Sequence, residues 1–255
     1  MKTLGFIGGG RIVSIIIKGL IKAEKLPPRV IVYDSDKAAR ERISRSVKGI
    51  PVTESLAEAA GADIVIAALH PQAFLETAKD IASAVKKDSF VLSLVPKIRL
   101  GKTAELLGPS VHVARMNPNA PSLVNRGFNP VAYSPSCTAD EKKMIEAVFG
   151  SLGEMPEVDD AQIEAFAVIT AMGYTYLDYQ CAELFELAKR FGIPADLASR
   201  GVRALFAGTA ETVLGSGADI DVFDLVPARP MKDTEESMRK QYGQQLAERF
   251  SMLTK

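Results

Sequence analysis

The chain has 255 residues, with 31 basic and 31 acidic side chains. That length buries one large core or two small ones, and the balanced charge offers nothing to attract nucleic acid or an anionic membrane. Two cysteines and two histidines form no metal-ligand spacing.

Residues 4–7 run straight into glycine, which reads as a buried strand and is too short for the core of a signal peptide. No apolar run approaches the roughly 20 residues that cross a bilayer. With Cys137 and Cys181 outside any C-x-x-C pair, a cytoplasmic protein without metal is expected.

Short apolar runs then alternate with helical periodicity. Strands are predicted at 4–7, 30–33, 51–52, 63–69, 90–94 and 111–114, and helices at 11–24, 37–46, 55–60, 74–85 and 101–107. Continuous apolar strands separated by helices specify a parallel sheet covered on both faces. Residues 117–136 are rich in Pro, Asn and Ser and read as loop, with a strand at 128–133. Thr138-x-x-Glu141 is a capping box that opens a helix ending near Gly150. After a strand at 154–158 only helix signals follow. They run over 159–191, stopped by Gly192-Ile193-Pro194, then 195–214, stopped by Gly215-Ser216-Gly217, then 233–253. Apolar residues from Ile163 and Phe166 to Leu184 and Phe185 cover much of the circumference of 159–191. So wide a stripe predicts a homodimer or higher homo-oligomer made through the C-terminal helices.

Gly8-Gly9-Gly10 follows the first strand and opens the first helix. A dinucleotide phosphate loop lies at that place. Gly8 permits the tight turn, Gly10 lets the backbone approach the diphosphate, and the helix start at Arg11 and Ile12 offers free N–H groups. The third small position of G-x-G-x-x-[GA] is taken by Val13. Asp34 ends the second strand, where a ribose-binding carboxylate belongs. It favours NAD, while Arg11, Lys37 and Arg40 stand near enough in sequence to neutralise the 2′-phosphate of NADP. A turn or capping role is the alternative for Asp34. The expected fold is therefore α/β: an N-terminal Rossmann doubly wound sheet over 1–155, then an all-helical substrate and dimerisation domain over 156–255.

Carboxyl ends of strands line the ligand crevice of open α/β sheets. Leu69-His70-Pro71 follows the strong strand at 63–69 and is expected against the cofactor. His70 can donate a proton or hold the ribose, or simply bind loop backbone. His112, inside a predicted strand, reads as structural. Lys97 ends the Ser93–Lys97 stretch, and Asn119, stiffened by Pro118 and Pro121, presents donors and acceptors at the end of the next strand.

On these residues the chain resembles the pyrroline-5-carboxylate reductase family over nearly its whole length. The family's G-F-I-G-[GA]-G matches Gly5–Gly10. Its [AV]-[VL]-K-P-Q matches Ala68–Gln72, with His70 for Lys. Its R-x-M-P-N-T-P matches Arg115, Pro118, Asn119 and Pro121, and an acidic residue and a tyrosine match Glu164 and Tyr176. Three glycine-rich stretches depart. S-G-S-G-P-A-Y is replaced by residues 170–176, A-A-G by Val95-Pro96-Lys97, and S-P-G-G-T-T by residues 229–234.

The resemblance implies an NAD(P)H-dependent reductase passing hydride to a cyclic imine such as 1-pyrroline-5-carboxylate. It implies Thr234 as the hydroxyl that donates to the imine nitrogen, although Asp233 and Thr234 also suit a helix cap. Tyr174, Tyr176, Lys97, Asn119 and Thr234 are then the substrate residues, the bulky ones suiting a larger or more anionic substrate. The alternatives are a non-catalytic dinucleotide-binding regulatory relative and a related reductase with a different substrate, deazaflavin-linked or hydroxyacid-type.

Overall fold

Alternate residues of a strand face opposite sides of its sheet, and this period assigns the core. In the computed structural model, which describes residues 2–87, 89–215 and 228–254, strand Leu4–Ile7 (β1) sends Leu4 and Phe6 to one hydrophobic cluster and Ile7 to another. The chain continues through helix Arg11–Lys22 (α1), strand Val30–Tyr33 (β2), helix Lys37–Ser46 (α2) and strand Val52–Thr53 (β3). Helix Leu56–Ala60 (α3), strand Ile64–Ala67 (β4), helix Pro71–Ala84 (α4) and strand Phe90–Ser93 (β5) come next. Helix Leu100–Leu107 (α5), strand His112–Met116 (β6), and the short strands Gly127–Phe128 (β7) and Val131–Tyr133 (β8) follow.

Among the described residues one sheet runs β3-β2-β1-β4-β5-β6-β8, parallel except for β8 against β6. Helix Ala139–Phe149 (α6) packs Ile145 and Phe149 with Val13, Ile16, Ile17 and Leu20 of α1 on one face. Phe74 and Ile81 of α4 and Leu107 of α5 cover the other. Burying each such side chain is worth roughly 1.5–3 kcal/mol, so two apolar layers hold the sheet. The expected doubly wound sheet is present, and the direction of winding changes between β1 and β4.

Several local expectations change. The strand expected at 128–133 is two strands in different sheets, because Pro130 has no N–H to continue a ladder. Of 154–158, only Glu154 is in a strand (Gly153–Glu154, β9), with Glu157 bridged singly to Val131. Helix α4 starts at Pro71, three residues early, since proline suits a first helical position. The single helix expected over 159–191 is interrupted. A 3-10 turn (Asp160–Gln162) leads into helix Ile163–Phe166 (α7) and a π-helical turn (Ala167–Ala171), where Met172 N–H reaches Ala167 O at 2.9 Å. Helix Tyr174–Arg190 (α8) then begins afresh.

By contact the chain divides into Met1–Met172 with Phe250–Lys255, and Gly173–Arg249. The last strand pairing ends at Glu154. The first unit continues to Met172 because Ile163 and Val168 are buried in it.

In the second unit α8 stops at Gly192, at φ 86°, with Ile193 N–H on Ala188 O at 3.0 Å, as the Gly-Ile-Pro signal predicts. Helix Ala195–Gly215 (α9) follows; Ser216 and Gly217 of its expected stop lie outside the described residues. Helix Lys232–Gln241 (α10), a π-helical turn (Tyr242–Leu246) and helix Ala247–Thr254 (α11) replace the one helix expected over 233–253.

Candidate active site

The glycine turn joins β1 to α1 beside the point where the winding changes, and ligands of such sheets bind there. Gly8 lies at φ 103°, and a Cβ on it would fall 2.4 Å from Ala68 O, so only glycine fits. Gly10 is the N-cap of α1, with no side chain capping it, no acidic residue in the first turn, and nothing within 4 Å of where its Cβ would stand. The first N–H groups of α1 therefore keep their donors, and the helix dipole is positive at this end. A cleft of about 730 Å³ opens over the turn, lined by Gly9, Gly10, Arg11, Ser14, Ile15, Arg42, Ile43 and Ser46. Two guanidinium groups line it and no carboxylate does. Ile12 and Val13 point inward, Val13 fully buried.

Asp34 takes the turn role, one of its two expected parts. Its Oδ2 accepts Gly9 N–H at 2.8 Å, and its Oδ1 accepts Asp36 N–H at 2.9 Å. Each oxygen retains a second lone pair for a ribose hydroxyl. Asp36, not Asp34, caps α2. Arg40 is tied to the carbonyls of Asp34 and Ser35, at 2.9 and 3.0 Å, and does not line the cleft.

At the carboxyl end of β4, Leu69 Cδ2 stands 3.3 Å from where a Gly8 Cβ would be, so this loop and the glycine turn are neighbours. His70 is exposed, is the N-cap of α4, and makes no side-chain cap bond. Pro71 opens the helix. His112 pairs instead with Glu141 at 2.6 Å, a structural contact as expected.

Asn119 is buried. Its Oδ1 accepts Phe128 N–H at 3.1 Å, and its Nδ2 donates to Thr170 O at 3.3 Å. The side chain thus fastens its own loop to the π-helical turn. Farther along, a cavity of about 30 Å³ lies at the carboxyl ends of β5 and β6, lined by residues that include Lys97, Arg115, Asn117, Glu164 and Leu253. Lys97 sits at φ 66°, a left-handed conformation costing a side-chain-bearing residue about 1–2 kcal/mol. Arg115, only 2% exposed, donates to Asp160 Oδ1 at 2.8 Å and Glu164 Oε1 at 2.5 Å.

Tyr174, Tyr176 and Thr234 belong to the second unit. Tyr174 is exposed at the start of α8. Tyr176 meets Tyr242 edge-on at 5.9 Å in a hollow of about 210 Å³, lined also by Tyr179 and Met238. Burial pushes the Tyr176 hydroxyl pKa up. Thr234 is exposed in the first turn of α10, whose N-cap is Met231 without a side-chain bond, so neither Asp233 nor Thr234 caps it.

A family model described as NADP oxidoreductase, coenzyme F420-dependent, matches residues 3–97, the part that holds the glycine turn. Pyrroline-5-carboxylate reductase of Escherichia coli strain K12 is 28% identical over 242 residues, covering 93% of this chain and 89% of that protein. Pyrroline-5-carboxylate reductase 3 of Macaca fascicularis is 27% identical over 217 residues, covering 85% and 79%. The chain is similar to pyrroline-5-carboxylate reductases along most of its length. Its fold agrees: the NADP-bound enzyme of Plasmodium falciparum superposes with a TM-score of 0.77 at 19% identity, covering 99% of this chain and 95% of that one. The Streptococcus pyogenes enzyme gives 0.78 at 18% identity, covering 99% and 98%.

Within that relationship, several residues at the site escape a reading of motifs. Ser14 and Ser46 hydroxyls meet at 2.6 Å and link α1 to α2 beside the cleft, and Arg42 lines it from α2. No motif marks them, since their nearness depends on how two helices pack. The Arg115–Asp160 pair is likewise tertiary, although an arginine ending an apolar strand signals a buried charge in need of partners.

Proposed function

We propose that this chain is an NAD(P)H-dependent reductase transferring hydride to a cyclic imine of the pyrroline-5-carboxylate type, as in proline biosynthesis. The observation that carries the reading is Gly10. Its missing side chain leaves an uncapped helix terminus open to a cationic cleft at the switch of a doubly wound sheet. The likeness to reductases of this name along most of the chain supports the reaction class.

The residues present fit a dinucleotide. Gly8–Gly10 with the start of α1 at Arg11 and Ile12 would hold the diphosphate, and Asp34 the ribose. Arg11 and Arg42 offer charge to a further phosphate, which favours NADP over NAD. Leu69, His70 and Pro71 would border the nicotinamide side. When bound in reduced form, the dinucleotide supplies a hydride to the imine carbon. Electron density then moves to nitrogen, so a held proton donor assists; Thr234 is the proposed donor, with His70 the other candidate. Asn119 acts by holding its loop. Lys97, Tyr174 and Tyr176 are the proposed substrate residues.

Exposed Leu177 and Leu184 on α8 and Leu205 and Val213 on α9 support association of two or more chains through the second unit. Among the described residues no helix is long and apolar enough to cross a membrane, and the free cysteines are in keeping with a cytoplasmic enzyme.

Steady-state oxidation of NADPH and NADH with pyrroline-5-carboxylate tests the reading, and turnover with at least one is expected. Lys97 in place of a family glycine favours a second reading, a dinucleotide-binding relative without this activity. Calorimetric binding of NADPH with no turnover of any cyclic imine would establish that instead.

A further inference from the structure

Among the described residues, five buried side-chain nitrogen and oxygen atoms have no hydrogen-bond partner. Three of them, Arg115 Nε, Asn117 Nδ2 and Glu164 Oε2, belong to residues lining the cavity of about 30 Å³ at the ends of β5 and β6. The other two, on Asn129 and Ser151, belong to residues that do not line it. Buried polar atoms are almost always satisfied, so three orphans on residues lining one space point to a polar occupant there.

Each orphan names its complement. The two nitrogens are donors and require an acceptor, whereas Glu164 Oε2 requires a donor. Charge points the same way. Arg115 pairs with both Asp160 and Glu164, which leaves two carboxylates to one guanidinium and favours a cation nearby. Lys97 lines the same cavity, is itself exposed, and adds a positive charge of its own. The α-to-π irregularity that follows Glu164 is of a kind concentrated at functional sites.

We infer that Glu164 Oε2 accepts the N–H of a protonated ring nitrogen while Asn117 and Lys97 hold the carboxylate of the same small cyclic imino acid. The cavity takes a group about the size of one water, so it receives the nitrogen and its proton. The rest of the ring lies toward Lys97. Side chains here do what glycine-rich backbone does in the resembled family. The inference rests on the proposed reductase function and adds the groups that recognise its substrate.

The test is calorimetry on the full chain saturated with NADP+, titrated with L-proline and with cyclopentanecarboxylate, which lacks the N–H. Proline should bind about tenfold or more tightly. Glu164→Gln should erase that preference without changing NADP+ affinity, because its carbonyl oxygen stays with Arg115 and turns an N–H2 donor toward the ligand. Asn117→Leu should weaken both ligands. Thermal melts check that each variant folds. If Glu164→Gln does not fold, the wild-type ligand pair and Asn117→Leu still decide.

Equal affinity of the two ligands for wild type, or no proline binding, overturns the inference. Imine turnover with an unchanged KM in Glu164→Gln also overturns it, yet leaves the reductase reading intact. Failure of the wild type to bind a dinucleotide removes both.

Discussion

Gly9 donates its backbone N–H to the Asp34 carboxylate at 2.8 Å, tying the glycine turn to the end of β2. One residue thus shapes the glycine turn and stands where we propose a ribose. A hydrogen bond to a charged group is worth about 1.5–3 kcal/mol. Asp34→Ala should therefore weaken NADPH and NADH binding by about tenfold or more, read by fluorescence titration. Equal affinities in variant and wild type would separate the turn from cofactor binding.

Lys97 occupies a left-handed backbone conformation that glycine adopts freely. Lys97→Gly should raise unfolding stability by about 1 kcal/mol in urea titrations. The same variant should raise KM for an anionic imine. A stability gain without a KM change would leave Lys97 outside the substrate site.

Arg115 faces Asp160 and Glu164 while buried to 2% exposure. Arg115→Met leaves two carboxylates without their cation and should cost about 3–5 kcal/mol in denaturant unfolding. Adding Glu164→Gln and Asp160→Asn should recover part of that loss; a strictly additive further loss would show that the three do not act together.

Acid should weaken the fold through Asp63. Backbone N–H donation from Thr3, at 2.7 Å, is the main cause holding this carboxyl below its ordinary value of 3.8; partial burial opposes it, and the Thr3 hydroxyl assists. The unfolded chain takes up the proton first as pH falls. The stabilisation is complete above 3.8 and is lost as pH drops through the lower folded value. Glu141 adds in the same direction: burial raises its pKa, but hydrogen bonds from Thr138 and His112 outweigh that. Stability measured from pH 7 to 2 should fall less steeply in Asp63→Asn than in wild type.

The sheet was legible because its signals are local. The strands at 4–7 and 30–33, the helix at 37–46 and the Thr138 capping box stand where the sequence puts them. Pro130, which cannot donate to a ladder, splits the strand that the apolar residues on either side of it predict. The π-helical turn was not legible, since the Asn119 amide that bonds Thr170 O comes from 51 residues away. The glycine turn and Asp34 could be read from spacing. The Arg115–Glu164 cluster could not, because a motif records which residues follow one another and not which carboxylate a buried guanidinium meets.

Gly8 and Gly10 separate fold from binding most directly. Gly8→Ala places a Cβ 2.4 Å from Ala68 O at φ 103° and should destabilise the whole first unit. Gly10→Val places its Cβ where no atom beyond the chain neighbours lies within 4 Å. The decisive measurement is NADPH titration of Gly10→Val. The expected result is a wild-type melting curve with dinucleotide affinity reduced about tenfold or more; a wild-type affinity would contradict a diphosphate resting on this turn.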